Sequence, residues 1–243
     1  MTNVLVYSKD TYLKHIGHLL LFSISFIIAL LIPVFAAFPT YNDIGAIFVR
    51  TASIFVNINA LSSAIIVAST MFSLLFLSFA IVAINIIVKH SRTHVRIKKD
   101  VLDGLEKYTS RVFVVLLIYL LLVTAANLIT YHYKSSGIIT AVVGLILIPF
   151  FFYAPSAIVI DDRRIWRSMR SSATFFVKRF DYFLLWLVLS ILLLTLFDFI
   201  FITISGTLLS RYAMLVFDSL FILPFLVVLQ SECYMKRFAM LKR

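Results

Sequence analysis

Long apolar runs alternate along this chain with short polar connections. Residues 19–42, 51–88, 112–133 and 135–160 contain no Lys, Arg, Asp or Glu. Residues 182–210 carry one charge, Asp198, and residues 212–231 carry one, Asp218. Each run reaches the ~20 residues that a helix needs to cross a bilayer. The pattern predicts six membrane helices, at about residues 17–37, 61–88, 111–132, 137–160, 182–205 and 210–231. The second run is longer than a span requires, so residues 53–60, with Asn57 and Asn59, read as a lead-in outside the membrane.

The polar connections have a pattern of their own and predict surface helices at about residues 4–14, 95–108 and 162–179. In the last of these, Trp166, Met169, Ala173, Phe176, Val177 and Phe180 recur at three-and-four spacing. Arg163, Arg167, Arg170, Thr174 and Lys178 fall on the other face, and Asp161 or Asp162 stands where an N-cap belongs. Such a helix lies in the membrane interface, with Trp166 at head-group depth and Arg163, Arg167, Arg170 and Lys178 toward lipid phosphates. A basic face that is simply hydrated is the competing reading.

The three surface segments echo one another. A shift of 68 residues brings Ile97, Val101, Leu105, Tyr108 and Arg111 onto Ile165, Met169, Ala173, Phe176 and Arg179. A shift of 164 brings Leu5, Tyr12, Lys14 and His15 onto Met169, Phe176, Lys178 and Arg179. The chain therefore reads as one transmembrane domain of three like units, each a surface helix followed by a helical hairpin, over about residues 1–88, 89–160 and 161–243. The expected fold is all-α: a six-helix membrane bundle collared by amphipathic helices.

Charge orients the bundle. Of the 22 Lys and Arg residues, 19 fall in the N-terminus, the second and fourth connections and the C-terminus. The first, third and fifth connections hold one each, Arg50, Lys134 and Arg211. By the positive-inside rule both termini are expected on the cytoplasmic side of a cell membrane. Composition agrees with a lipid solvent: 62% of residues are hydrophobic and 14% charged, too few to cover a water-soluble globule. The net charge of +11 would suggest nucleic acid in a soluble chain; between membrane spans its partners are anionic lipids, and other membrane proteins, rather than nucleic acid. Ala36 and Ala37 stand where a signal-peptide cleavage site would, but the apolar run before them is long and Pro39 follows, so the first span is expected to be retained.

Residues 154–192 carry a resemblance. Pro155 near the end of the fourth span, the acidic pair Asp161 and Asp162, the pair Arg170-Ser171 and the aromatic-rich stretch over residues 180–186 resemble the repeated segment of a broad prokaryotic family of six-span membrane proteins. That family is related to the membrane domain attached to some bacterial glycerophosphodiester phosphodiesterases. The resemblance implies the fold rather than an activity. No soluble segment here is long enough for a catalytic barrel.

Chemistry is sparse. One cysteine, Cys233, forms no internal disulfide, and the six glycines form no phosphate loop. His15 with His18, and His90 with His94, have helical spacing, but the first pair has no Cys, Asp or Glu at ligand spacing and the second sits in a basic connection with Lys89 and Arg92 that repels cations, so neither metal nor cofactor is expected. Pro33, Pro149, Pro155 and Pro224 lie in or beside spans, where prolines kink helices. Ala60, Ala64 and Ala68 form a small-residue ridge suited to close packing inside the bundle, the preferred use, or in a homodimer. Asp198 and Asp218 are the sharpest candidates, because ionisable groups within a span are costly and serve a cavity or a partner. Each lies some 12 Å from the turn joining the last two spans, at 1.5 Å per residue. Either they face one another and share a proton or cation, or each is neutralised by Arg211, Arg50, Lys134 or a hydroxyl such as Thr203.

Two functions follow as expectations. One is a non-catalytic lipid-associated or accessory component of a membrane complex. The alternative is a small proton- or cation-coupled transporter using Asp198 and Asp218.

Overall fold

A computed structural model describes residues 2–35, 40–43, 46–49, 60–93, 97–130, 133, 136–205 and 208–237. Six helical segments in it are long and apolar enough to cross a membrane: Ile16–Pro33, Ser63–Ser91, Gly104–Thr130, Gly137–Asp161, Phe180–Phe201 and Tyr212–Met235. The chain is a multi-pass membrane protein built as a helical bundle.

In chain order, α1 (Thr2–Lys14) leads into α2 (Ile16–Phe35). A short antiparallel hairpin follows, β1 (Thr40–Asp43) and β2 (Ala46–Val49), with Thr40 opposite Val49. The alternation of hydropathy did not mark it, since it is only four residues a side. Then come α3 (Ala60–Thr93), α4 (Ile97–Thr130), α5 (Ser136–Phe151) and α6 (Ala154–Asp161). The amphipathic α7 (Ile165–Lys178), α8 (Phe180–Ser205) and α9 (Leu208–Phe217) follow, and a π turn (Asp218–Ile222) joins α9 to α10 (Leu223–Met235).

Two expectations change here. The surface helix at residues 95–108 is not a separate element: from Ile97 onward it is the first part of α4, which runs unbroken to Thr130. Nothing between them breaks a helix, for the stretch holds Gly104 but no proline, and one glycine costs only about 1 kcal/mol. The alanine ridge differs too. Ala64 and Ala68 are exposed on α3 rather than packed inside. The lead-in expected at residues 53–60 falls, up to residue 59, outside the described residues.

The bundle is unevenly packed. Half of the most apolar stretch of α3, and of the last span, is buried, against 11% for α4 and 17% for α8. The centre is therefore α3 against α10, flanked by α2, α6 and α7. Ser73 Oγ donates to Ala29 O at 2.6 Å, tying α3 to α2. Ser231 Oγ donates to Asn85 Oδ1 at 2.8 Å, tying α10 to α3. Gly104 lets α4 approach α3 so closely that a Cβ there would lie 2.7 Å from Ile86 Cδ1. Tyr153, Phe175, Cys233 and Tyr234 fill the core where α6, α7 and α10 meet.

Two breaks have local causes. Pro224 lacks an N–H and its ring would press on the carbonyl four residues back, so the preceding chain widens into the π turn, with Leu223 N bonded to Asp218 O. Tyr12 donates to the Phe221 carbonyl within that turn at 3.2 Å. The second break divides α5 from α6. Ser172 of α7 is inserted there: Tyr153 N donates to Ser172 Oγ at 3.0 Å, and Ser172 Oγ donates to Pro149 O at 2.8 Å. In an unbroken helix Tyr153 N and Pro149 O would bond to each other; the hydroxyl splits that rung.

Candidate functional site

The basic end of the bundle, where α6, α7 and α10 finish, carries the densest polar chemistry among the described residues. Asp161 ends α6, and Asp162 follows it with a φ of 50°. This left-handed residue is one that aspartate tolerates better than most, and it turns the chain sharply into α7. The turn separates the two carboxylates. Asp162 reaches α4, where Lys107 Nζ lies at 2.5 Å and Arg111 at 3.2 Å. The Lys107 ammonium, with Arg111 beside it, holds the Asp162 carboxyl below its usual range. Both cations also approach the face of Tyr108, at 5.0 and 5.9 Å.

Asp161 turns inward, its side chain 6% exposed. Arg163 Nε stands 2.8 Å from its Oδ2, Arg237 at 3.5 Å, and the Tyr234 hydroxyl donates to the same oxygen at 2.9 Å. Tyr234 has one hydroxyl proton and gives it to Asp161, so Ser171, 2.9 Å away, is the donor in its contact with Tyr234. Arg237 donates in turn to Ser171 Oγ at 2.5 Å. A closed ring of charge-assisted bonds thus fastens α7 to α6 and α10. Beside it, Lys89 donates to Val159 O at 2.8 Å, and Gln230 donates to the Phe152 carbonyl.

This ring decides which way α7 faces. Its buried face is Ser168, Ser171, Ser172, Phe175 and Phe176. The expected apolar stripe is therefore divided: Phe176 and Met169 turn inward, each onto its own part of the core, while Trp166 is 73% and Val177 76% exposed. Serine is polar by composition, yet its small hydroxyl is welcome in a core when bonded, as Ser171 and Ser172 are. Of the basic residues expected at lipid, Arg167, Arg170 and Lys178 are exposed, whereas Arg163 is committed to Asp161. At helical spacing Trp166, Arg170 and Val177 line up, and Arg167, Thr174 and Lys178 form the adjoining row. The outer face of α7 is thus an apolar edge bordered by a basic one.

Asp198 and Asp218 come together elsewhere, within the membrane stretch. Both are buried. The Phe217 ring lies 4.8 Å from Phe197 and 5.6 Å from Phe201, which sets the two aspartates, each one residue further on, at a common depth. The Asp218 carboxyl lies near enough to feel the Asp198 charge, though neither of its oxygens is hydrogen-bonded among the described residues. Two apolar grooves lie on this hairpin, one along Val188, Leu192 and Phe199, the other along Tyr212, Val216 and Phe221; both open outward from the bundle. Among the described residues no three His, Cys, Asp or Glu side chains gather as a metal site.

Ser171, Ser172, Tyr234 and Arg237 were not singled out by reasoning from sequence as functional residues. The one signal for them was the Arg170-Ser171 pair. Comparison with protein-family models, with curated proteins and with solved structures finds no match to this chain.

Proposed function

We infer that this is a non-catalytic, lipid-associated component of a cell-membrane assembly, with both termini and α7 on the cytoplasmic side. The observation that carries the reading is the exposed face of α7. Trp166 and Val177 are large apolar side chains bared beside Arg167, Arg170 and Lys178 on a helix whose opposite face is locked into the bundle. Water is a poor solvent for that edge. The head-group region suits both halves of it, since indole and aliphatic carbon reach the acyl boundary while guanidinium groups meet phosphate. The asymmetry of Lys and Arg supports the cytoplasmic placement. The resemblance of residues 154–192 to the six-span prokaryotic family supports the same fold and names no activity.

The test is lipid retention. The full chain, extracted gently and weighed with its bound lipids by native mass spectrometry, keeps anionic phospholipid in preference to zwitterionic. Replacing Arg167, Arg170 and Lys178 together by Gln removes that preference, each basic residue near an anionic surface contributing about 1 kcal/mol. Equal retention of both lipid classes, or no change on substitution, overturns the reading. Topology has its own check. Native Cys233 is buried, so Cys placed at Arg167 is the site an impermeant thiol reagent reads, and it is reached only after the cell is opened.

A further inference from the structure

The buried carboxyl pair is unused by the lipid reading and lies in the membrane stretch, remote from α7, so its fate is independent of that reading. Asp218 is 2% exposed, and neither of its carboxyl oxygens accepts a hydrogen bond among the described residues. A carboxylate in that state is expensive. A carboxylic acid costs far less because it carries no charge, and a second buried carboxyl at the same depth, Asp198, gives the proton another group to move to. The site is also where the backbone departs from α geometry: Asp218 opens the π turn, a device that recurs at functional positions.

The surroundings favour a proton over a metal ion. A dehydrated calcium ion, for comparison, takes about six to eight oxygen ligands. Here the rings of Phe197, Phe201, Phe217 and Phe221 pack on one another across the same hairpin, and the adjacent Ser219 hydroxyl is already bonded to Leu215 O at 2.7 Å. The π turn packs against α2, α8, α9 and α10. Their other titratable or charged groups are His18 on α2, Asp181 and Tyr182 at the start of α8, Arg211 and Tyr212 on α9, and Cys233, Tyr234 and Glu232 on α10. Glu232 is 14 and Asp181 17 residues from its nearer aspartate, over 20 Å along a helix at ~1.5 Å per residue. Tyr12 of α1 reaches the turn only through its bond to Phe221 O.

We propose that Asp198 and Asp218 form a proton-binding pair. One proton from the aqueous phase forms an O–H bond on Asp218 and is shared with Asp198, leaving the pair a single negative charge. No other bond is made or broken.

Dicyclohexylcarbodiimide, which modifies protonated carboxyls in apolar surroundings, is the probe. It is applied to the full chain in lipid nanodiscs and the label is mapped by mass spectrometry. At neutral pH the label falls on Asp198 or Asp218, declines as the medium is made alkaline, and is unaffected by exchanging Na⁺ for K⁺ or choline. Asp198→Asn and Asp218→Asn each abolish it, because the new carboxamide donates N–H to the remaining carboxylate and replaces the proton. Arg211→Gln leaves it in place. Should a variant fail to fold, the infrared carbonyl band of a protonated carboxyl in the wild-type chain gives the same answer, present at neutral pH and lost in alkali. Absence of both label and band overturns the proposal. So does protection by Na⁺, which would mark a cation site, or undiminished label on the remaining aspartate of either single variant, which would mark two independent groups.

Discussion

Tyr234 gives its hydroxyl proton to Asp161 across 73 residues of sequence, at 2.9 Å, and so joins the last helix to the end of the fourth span. Ser171 and Arg237 close on the same hydroxyl, which makes it the centre of the ring that holds α7. Tyr234→Phe keeps the ring packing but deprives Asp161 and Ser171 of a partner in a buried place. The expected loss is about 1 to 3 kcal/mol, read as a lowered thermal midpoint in mild detergent. An unchanged midpoint would mean that water or Arg237 replaces the hydroxyl without cost.

Ser172 holds apart Pro149 O and Tyr153 N, the two ends of a helical rung. In Ser172→Ala that rung can close, α5 and α6 tend toward one straight helix, and α7 loses its anchor. Hydrogen exchange is the measure: amides of α7 should exchange faster while those around Tyr153 become better protected. Faster exchange throughout the chain would signify general unfolding instead.

Gly104 faces Ile86 at a spacing that leaves no room for a methyl group. Gly104→Ala should destabilise the bundle by about 1 kcal/mol, at the low end for overpacking because the clash is with the mobile end of a side chain. Adding Ile86→Val removes that end and should recover most of the loss. Failure of the second change to rescue the first would place the strain in the backbone.

The Asp162 carboxyl, lowered by Lys107 and Arg111, sets a pH dependence. Its folded value lies below its unfolded one, so the bridge contributes fully above about pH 4, the unfolded carboxylate value. The contribution fades as pH falls through the depressed folded value. Both groups of the Lys107 bridge are 46% exposed, so the effect is small and salt weakens it. Thermal scans between pH 3 and pH 6 at low salt should show a slope that Asp162→Asn flattens.

A carboxyl pair kept in lipid for a purpose is kept at the expense of stability. The double variant Asp198→Leu/Asp218→Leu should unfold at a temperature no lower than the wild type, and a gain of about 1 to 4 kcal/mol is in the range seen when buried ionisable groups give way to apolar ones. A marked loss would show that the pair holds α8 to α9.

The six spans were legible before any coordinate, because a membrane helix is decided by the content of a window of ~20 residues and by little else. That Asp198 and Asp218 occupy one depth was legible as an alternative, from equal spacing about the turn between the last two spans. Whether they face each other was not, since a helix places a side chain by rotation as well as by height. The continuity of α4 escaped because a charged stretch joined to an apolar one reads as two elements, although the backbone has no reason to stop. The division between α5 and α6 escaped because its cause, Ser172, belongs to another helix.

By itself the chain's pattern determined that lipid is the solvent, that six helices cross it, and that positive charge gathers at one end. Hydropathy and charge are properties of residues and short windows, so they need no fold to act. Only the tertiary structure decided that α7 turns serines inward and bares Trp166, that Asp161 and Asp162 part toward different helices, and that Asp218 and Asp198 are both buried where Phe197 packs on Phe217. A buried hydroxyl such as Ser172, or a carboxylate such as Asp161, is held by partners within about 3 Å, and those partners are brought from far along the sequence by the packing of the whole bundle.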